Sequence, residues 1–224
     1  MNNELIKRLL TSIILLPSVI YLIYFGEELF VFLIFFLLIL TIYEWHNLSK
    51  NTVYEVYGIV YIFLSYLSFY MLRNLSIEIH NIDGLKFLIL IIFICILTDI
   101  GGYVFGKTFR GKKLTQISPN KTYSGAIGSF LLPIIFILIL LNYNFNNMYI
   151  NNLLSNFSLI KLFLITISVS LVSQIGDIFI SFFKRLKNIK DTGKLIPGHG
   201  GLLDRIDGMI FAIPYSYILI LLIS

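Results

Sequence analysis

Long apolar runs alternate with short polar segments along the whole of this chain. The runs cover about residues 9–24, 29–43, 53–72, 123–141, 159–181 and 209–223. One more starts near residue 87 and reaches Asp99-Ile-Gly-Gly102, just before Tyr103-Val-Phe-Gly106. A transmembrane helix needs roughly 20 predominantly apolar residues. The pattern therefore predicts an all-α, polytopic membrane helix bundle with seven spans. A half-helix hidden in a polar loop would raise the count to eight or more. The chain reads as one membrane-embedded domain, with N-terminal helices over about 9–72 and a C-terminal part over about 87–223.

The first run follows Lys7 and Arg8 and begins like a secretion signal. Pro17 interrupts it, no small-residue cleavage site follows, and another span starts within a few residues, so a retained helix is expected. Glu44, Trp45 and His46 close the second run and are expected at the membrane boundary, with the tryptophan as an interfacial anchor. His46 reads there as an interfacial polar residue rather than a ligand. Residues 73–86, with an Asn-Ile-Asp-Gly turn, read as a loop. Asp99 lies late in an apolar run. It is either a functional carboxylate or a helix-end group reaching the headgroups.

Composition agrees with the pattern. The 224 residues are 58% hydrophobic and 13% charged, with a mean hydropathy of +0.88. Soluble domains carry about 25% charged residues. A lone cysteine, Cys95, inside an apolar run excludes an internal disulfide. Charge adds orientation. Residues 107–121 hold Lys107, Arg110, Lys112, Lys113 and Lys121, and residues 184–205 hold Lys184, Arg185, Lys187, Lys190, Lys194 and Arg205. These are eleven of the seventeen basic residues, so both loops should face the cytoplasm. An N-terminus on the same side satisfies this by alternation. It leaves the acidic turn at Glu27-Glu28 and the asparagine-rich segment 142–156 outside.

The most polar long stretch is 181–207, SFFKRLKNIKDTGKLIPGHGGLLDRID. A basic cytoplasmic loop explains its lysines, but not Asp204-Arg-Ile-Asp207 directly after a glycine cluster. Glycines let the backbone approach a ligand closely, and successive N–H groups can cradle an anion. Carboxylates three residues apart share a helix face and suit a divalent metal. Together these features point to magnesium-dependent chemistry on phosphates.

This stretch, Ser181-Phe-Phe-Lys184-Arg185 through Pro197-Gly198-His199-Gly200-Gly201-Leu-Leu-Asp204-Arg205-Ile-Asp207, resembles the C-terminal motif of the phosphatidate cytidylyltransferases, without a gap. Asp99-Ile-Gly-Gly-Tyr103-Val-Phe-Gly106, Ile117-Ser118-Pro119-Asn120-Lys121-Thr122 and Gly176-Asp177 are similar to further blocks of that family. The resemblance covers about the C-terminal 60% of the chain. It departs at Asn120, Tyr123 and Ser124, where the family commonly has Lys, Trp and Glu, and at Ile180, where it often has Glu.

The resemblance implies transfer of a cytidylyl group from CTP to phosphatidate, giving CDP-diacylglycerol and pyrophosphate at the cytoplasmic face of the inner membrane. It implies Mg²⁺ held by Asp177, Asp204 and Asp207, with room for a second cation such as K⁺. Antiparallel neighbouring helices would bring the three acids to one depth, with Asp177 near the end of one helix and the pair at the start of the next. Asp207, Asp204, Lys184, Arg185 and Lys190 are the implied catalytic group. Ser118, Lys121, Thr122, His199, Gly200 and Gly201 are the implied nucleotide- or phosphate-binding group. His199 either contacts phosphate or orders the glycine loop, and Asp191 is either a ligand or a partner of Lys190. Lys107, Arg110, Lys112 and Lys113 read as charges that hold anionic lipid nearby. CTP, phosphatidate and membrane lipid are the expected partners, a homodimer is allowed by analogy, and no nucleic acid is expected. The rival readings are a CTP-dependent lipid kinase of the polyprenol or phytol type and, from another class, a transporter. A transporter would place its ionisable groups near the midplane between repeats.

Overall fold

Six long helices account for the apolar runs from residue 28 onward: α1 (Glu28–Ser49), α2 (Tyr54–Arg73), α3 (Gly84–Phe109), α4 (Tyr123–Asn144), α5 (Leu159–Leu186) and α6 (Leu203–Ile223). The computed structural model describes residues 19–24, 27–77, 82–114, 118, 121–144, 157–195 and 200–223. All six helices are long and apolar enough to cross a membrane. Of the first expected span only residues 19–24 are described, and they are helical; the rest lies outside the described residues. The loop expected at 73–86 contains a two-residue antiparallel ladder, Ser76–Ile77 with Ile82–Asp83. Asp83, from the sequence's turn signal, caps α3 by accepting the Lys86 N–H.

Phe32, Ile139, Ile160 and Leu222 present their side chains outward. In water such a surface would aggregate, whereas against lipid it is the required face. The protein is a multi-pass membrane protein.

α3 packs on α2, α4, α5 and α6, and α6 in turn packs on α2 and α5. Small residues set two of these crossings. A Cβ at Gly125 would come within 2.7 Å of the Gly102 carbonyl oxygen, so α3 and α4 meet backbone to backbone. A Cβ at Gly176 would lie 2.8 Å from the Asp207 carbonyl oxygen, and one at Gly208 3.0 Å from that of Ser173, so α5 and α6 cross on a glycine each. Polar pairs link helices inside the bundle: Thr98 Oγ1 donates to Ser170 Oγ at 2.9 Å, and Thr41 and Tyr66 share a 2.8 Å hydrogen bond.

Pro214 inside α6 has no N–H to return to the Ile210 carbonyl. Ser65 Oγ of α2 donates to that oxygen instead, at 2.8 Å. Ser65→Ala should leave the buried carbonyl unpaired and cost about 1 kcal/mol. Thermal unfolding in detergent would show it as a lower midpoint, with Ser68→Ala, on the exposed side of α2, as the neutral control.

Most of the helices run further than the apolar runs that announced them. α1 continues through Glu44, Trp45 and His46 to Ser49, α5 through Lys184 and Arg185 to Leu186, and α6 starts at Leu203 rather than near 209. Trp45 is therefore not the expected membrane-boundary anchor. It is 2% exposed, packs edge-on to the Phe183 ring and donates Nε1–H to the Glu55 carbonyl. His46 Nδ1 lies 2.6 Å from Glu55 Oε1. Hydropathy ends a span at the first charges, but a helix continues wherever its polar residues find partners.

Candidate active site

The helix extensions make a recess between α3, α4, α5 and α6. Asp177 stands nine residues before the end of α5, about 13 Å along the axis. Asp99 is similarly set back within α3. The α5–α6 crossing at Gly176 and Gly208 puts the neighbouring residues Asp177 and Asp207 side by side. Asp99, Asp177 and Asp207 are within electrostatic reach of one another. All three line one polar cavity of about 420 Å³.

Basic groups reach the same cavity from two directions. Lys121 precedes α4, and its Nζ lies 2.5 Å from Asp177 Oδ2. Residues 110–114 lie against the start of α4: the Leu114 N–H donates to the Lys121 carbonyl, the Tyr123 N–H to that of Lys112, and the Ser124 hydroxyl to that of Arg110. The last contact gives Ser124 a job in this loop, at a position where the resemblance departs. Thr122 Oγ1 accepts the Gly125 N–H and so caps the helix. Lys184 enters from the end of α5, with its Nζ 2.9 Å from Asp204 Oδ1. Arg205 also lines the wall.

Asp204 is the hub of the glycine segment. Its Oδ2 accepts N–H groups from Thr192 (2.7 Å) and Gly201 (3.0 Å), while Oδ1 holds Lys184. Its ionic partner is thus Lys184 and not its neighbour Arg205. Gly200, at φ +84°, has no room for a Cβ between Asp204 and Asp191.

Of the residues singled out in the sequence, Ser118, Lys121, Thr122, Asp177, Lys184, Asp204 and Asp207 line the cavity, together with Asp99 and Asp191. Gly200 and Gly201 flank Asp204 from outside the lining. Arg185 and Lys190 are exposed and not part of the wall. His199 lies outside the described residues. Lys107, Arg110, Lys112 and Lys113 are all exposed. Sequence reasoning passed over Gln174, whose buried Nε2 has no hydrogen-bond partner among the described residues and which joins the wall one turn from Asp177. It had no signal beyond an amide in an apolar run.

No three acidic, histidine or cysteine side chains stand at metal-ligating distance among the described residues. Magnesium rarely needs such a cage. It keeps several waters and takes one or two carboxylates plus substrate phosphates. Asp177 and Asp207, hard oxygen donors facing an open polar cavity, fit that mode. Asp204, with three donors on its oxygens, has less to offer an ion.

Residues 54–223 match the sequence profile of the Cytidylyltransferase family. The chain belongs to the cytidylyltransferase family. Curated relatives within it include the phosphatidate cytidylyltransferase of Rickettsia felis, 34% identical over an alignment of 228 residues that covers 99% of this chain and 94% of the relative. That of Rickettsia prowazekii is 36% identical over 181 residues, 78% of this chain and 73% of the relative. That of Staphylococcus haemolyticus is 34% identical over 185 residues, 78% of this chain and 63% of the relative. As a cytidylyltransferase family member the protein is a nucleotidyltransferase, and the lipid-kinase and transporter readings lose their footing.

Proposed function

We propose that the protein transfers the cytidylyl group of CTP to phosphatidate, forming CDP-diacylglycerol and pyrophosphate, with the polar cavity between α3, α4, α5 and α6 as the site of transfer. The observation that carries this is the union of five carboxylates with Lys121, Lys184 and Arg205 around one cavity. The family assignment and the relatives' names support the choice of substrates.

An oxygen of the phosphatidate phosphate attacks the α-phosphorus of CTP, the bond to the β-phosphate oxygen breaks, and pyrophosphate leaves in line. The nucleophile is anionic near neutral pH, so no strong base is required. Catalysis rests on positioning and charge neutralisation. Lys121 and Lys184 hold phosphate oxygens in this reading, exchanging part of their contact with Asp177 and Asp204 for the substrate. Ser118 and Thr122 line the same wall and offer hydroxyls. Asp177 and Asp207, with Asp99 beside them, would hold magnesium, which supplies charge neutralisation on the triphosphate and the departing pyrophosphate. Arg185 and Lys190 bind at the rim, where lipid headgroups meet the protein. In this reading the face is cytoplasmic, at the inner membrane, and the two basic loops and the source of CTP support that orientation.

CTP labelled on the α- or the γ-phosphate separates the reactions. Cytidylyl transfer puts the α label into lipid and the γ label into pyrophosphate, and a chelator of divalent cations abolishes both. Lipid carrying the γ label would establish a kinase instead.

A further inference from the structure

Glu44 has no part in the cavity wall, yet it is the most buried acid described, at 1% exposure. It comes from α1, far in sequence from the groups it meets. Its Oε1 accepts the Leu202 N–H at 2.9 Å, and its Oε2 accepts the Leu203 N–H at 2.8 Å and the Thr192 hydroxyl at 2.8 Å. Among the described residues no lysine, arginine or histidine forms an ion pair with it. Its partners are therefore donors of the segment between α5 and α6, two of them N–H groups where α6 begins. The first N–H groups of a helix have no partner inside it and carry the positive end of its dipole. Glu44 caps α6 from another helix.

The glycines around it fit the same arrangement. A Cβ at Gly193 would lie 2.6 Å from Glu44 Oε1, and one at Gly201 2.5 Å from Oε2. Both glycines are small because this carboxylate lies against the backbone. Thr192 links it to the site: its hydroxyl donates to Glu44, and its N–H donates to Asp204, which holds Lys184.

We propose that Glu44 is a positioning residue for the transfer site, fixing the start of α6 and the glycine segment so that Asp204 holds Lys184 at the cavity wall. It acts through Thr192, Leu202 and Leu203 and touches neither substrate. The consequence for catalysis rests on reading the cavity as the site of transfer; the consequence for Lys184 does not.

The test therefore reads both. Lys184 acylation by an amine-reactive ester is followed by peptide mass spectrometry on the full-length protein in detergent, with exposed Lys107 as the internal reference, beside cytidylyl transfer by the same samples. Glu44→Gln keeps the shape but turns an amide N–H₂ toward donors, because only the carboxylate accepts at both atoms. The expected result is a several-fold rise in Lys184 acylation relative to Lys107, with kcat falling about 10- to 100-fold, the range seen when an outer-shell partner is lost. Thr192→Val removes one donor only and should move both readouts the same way by less, which covers the case in which Glu44→Gln fails to fold. Unchanged Lys184 acylation in the folded variants overturns the proposal, whatever the activity. A rise in acylation in a protein whose wild type transfers no CMP would uphold the positioning and defeat the functional reading alone.

Discussion

Asp207→Asn abolishes cytidylyl transfer while leaving the bundle intact. The substitution keeps the shape and takes one carboxylate from the five that line the cavity beside Lys121, Lys184 and Arg205. Losing a carboxylate that would hold magnesium against the reacting phosphates should lower kcat by about 10³-fold. Stability should not fall, because among the described residues Asp207 forms no ion pair, and its Oδ1 accepts the N–H of Gly208, which an amide oxygen can still accept. Initial rates of CMP incorporation at saturating CTP, set beside thermal unfolding in detergent, check both halves. Activity within tenfold of wild type would remove Asp207 from the chemistry.

Asp204→Asn should fail differently, although it lies one helical turn away. Its carboxylate accepts from Lys184 and from two backbone N–H groups, and both partners of the pair are largely buried, at 12% for Lys184 and 6% for Asp204. An asparagine must turn its N–H₂ toward either the lysine or the backbone donors. Breaking a buried pair from one side costs about 3 kcal/mol, chiefly because the remaining charge is left uncompensated. The variant should therefore unfold at a lower temperature and lose transfer as well. A loss of transfer with an unchanged unfolding midpoint would assign Asp204 to substrate or metal rather than to the architecture of the glycine segment.

The contrast between these two acids marks how far the sequence could be read. Their spacing and their place at the start of a helix after glycines were legible, because glycine clusters and paired carboxylates stand out in apolar sequence. Which oxygen meets which donor was not, because Thr192, Gly201 and Lys184 reach Asp204 only through tertiary folding. The helices from residue 28 onward were legible for a simple reason: the bilayer demands long apolar runs. Their ends were not. Hydropathy falls at Glu44 and Lys184, but both helices continue because these groups find partners inside the protein. Glu44 illustrates the cost of that limit. Beside a tryptophan at the end of a run it reads as a boundary residue, and its role depends on a segment roughly 150 positions away, beyond the reach of any local pattern. The glycine pairs behaved the other way. Gly102 and Gly176 stood in motif blocks without a stated physical reason, and their packing meaning, against Gly125 and against the Asp207 backbone, came only with the fold.

CTP should be used in the cavity between α3, α4, α5 and α6. The structure of the protein with magnesium and a CTP analogue whose α,β-bridging oxygen is replaced by methylene tests it most directly. The account predicts the triphosphate in that cavity, with phosphate oxygens at Lys121 and Lys184 and the metal against Asp177 or Asp207. A nucleotide bound elsewhere, with the cavity unchanged and both lysines still on their carboxylates, would contradict it.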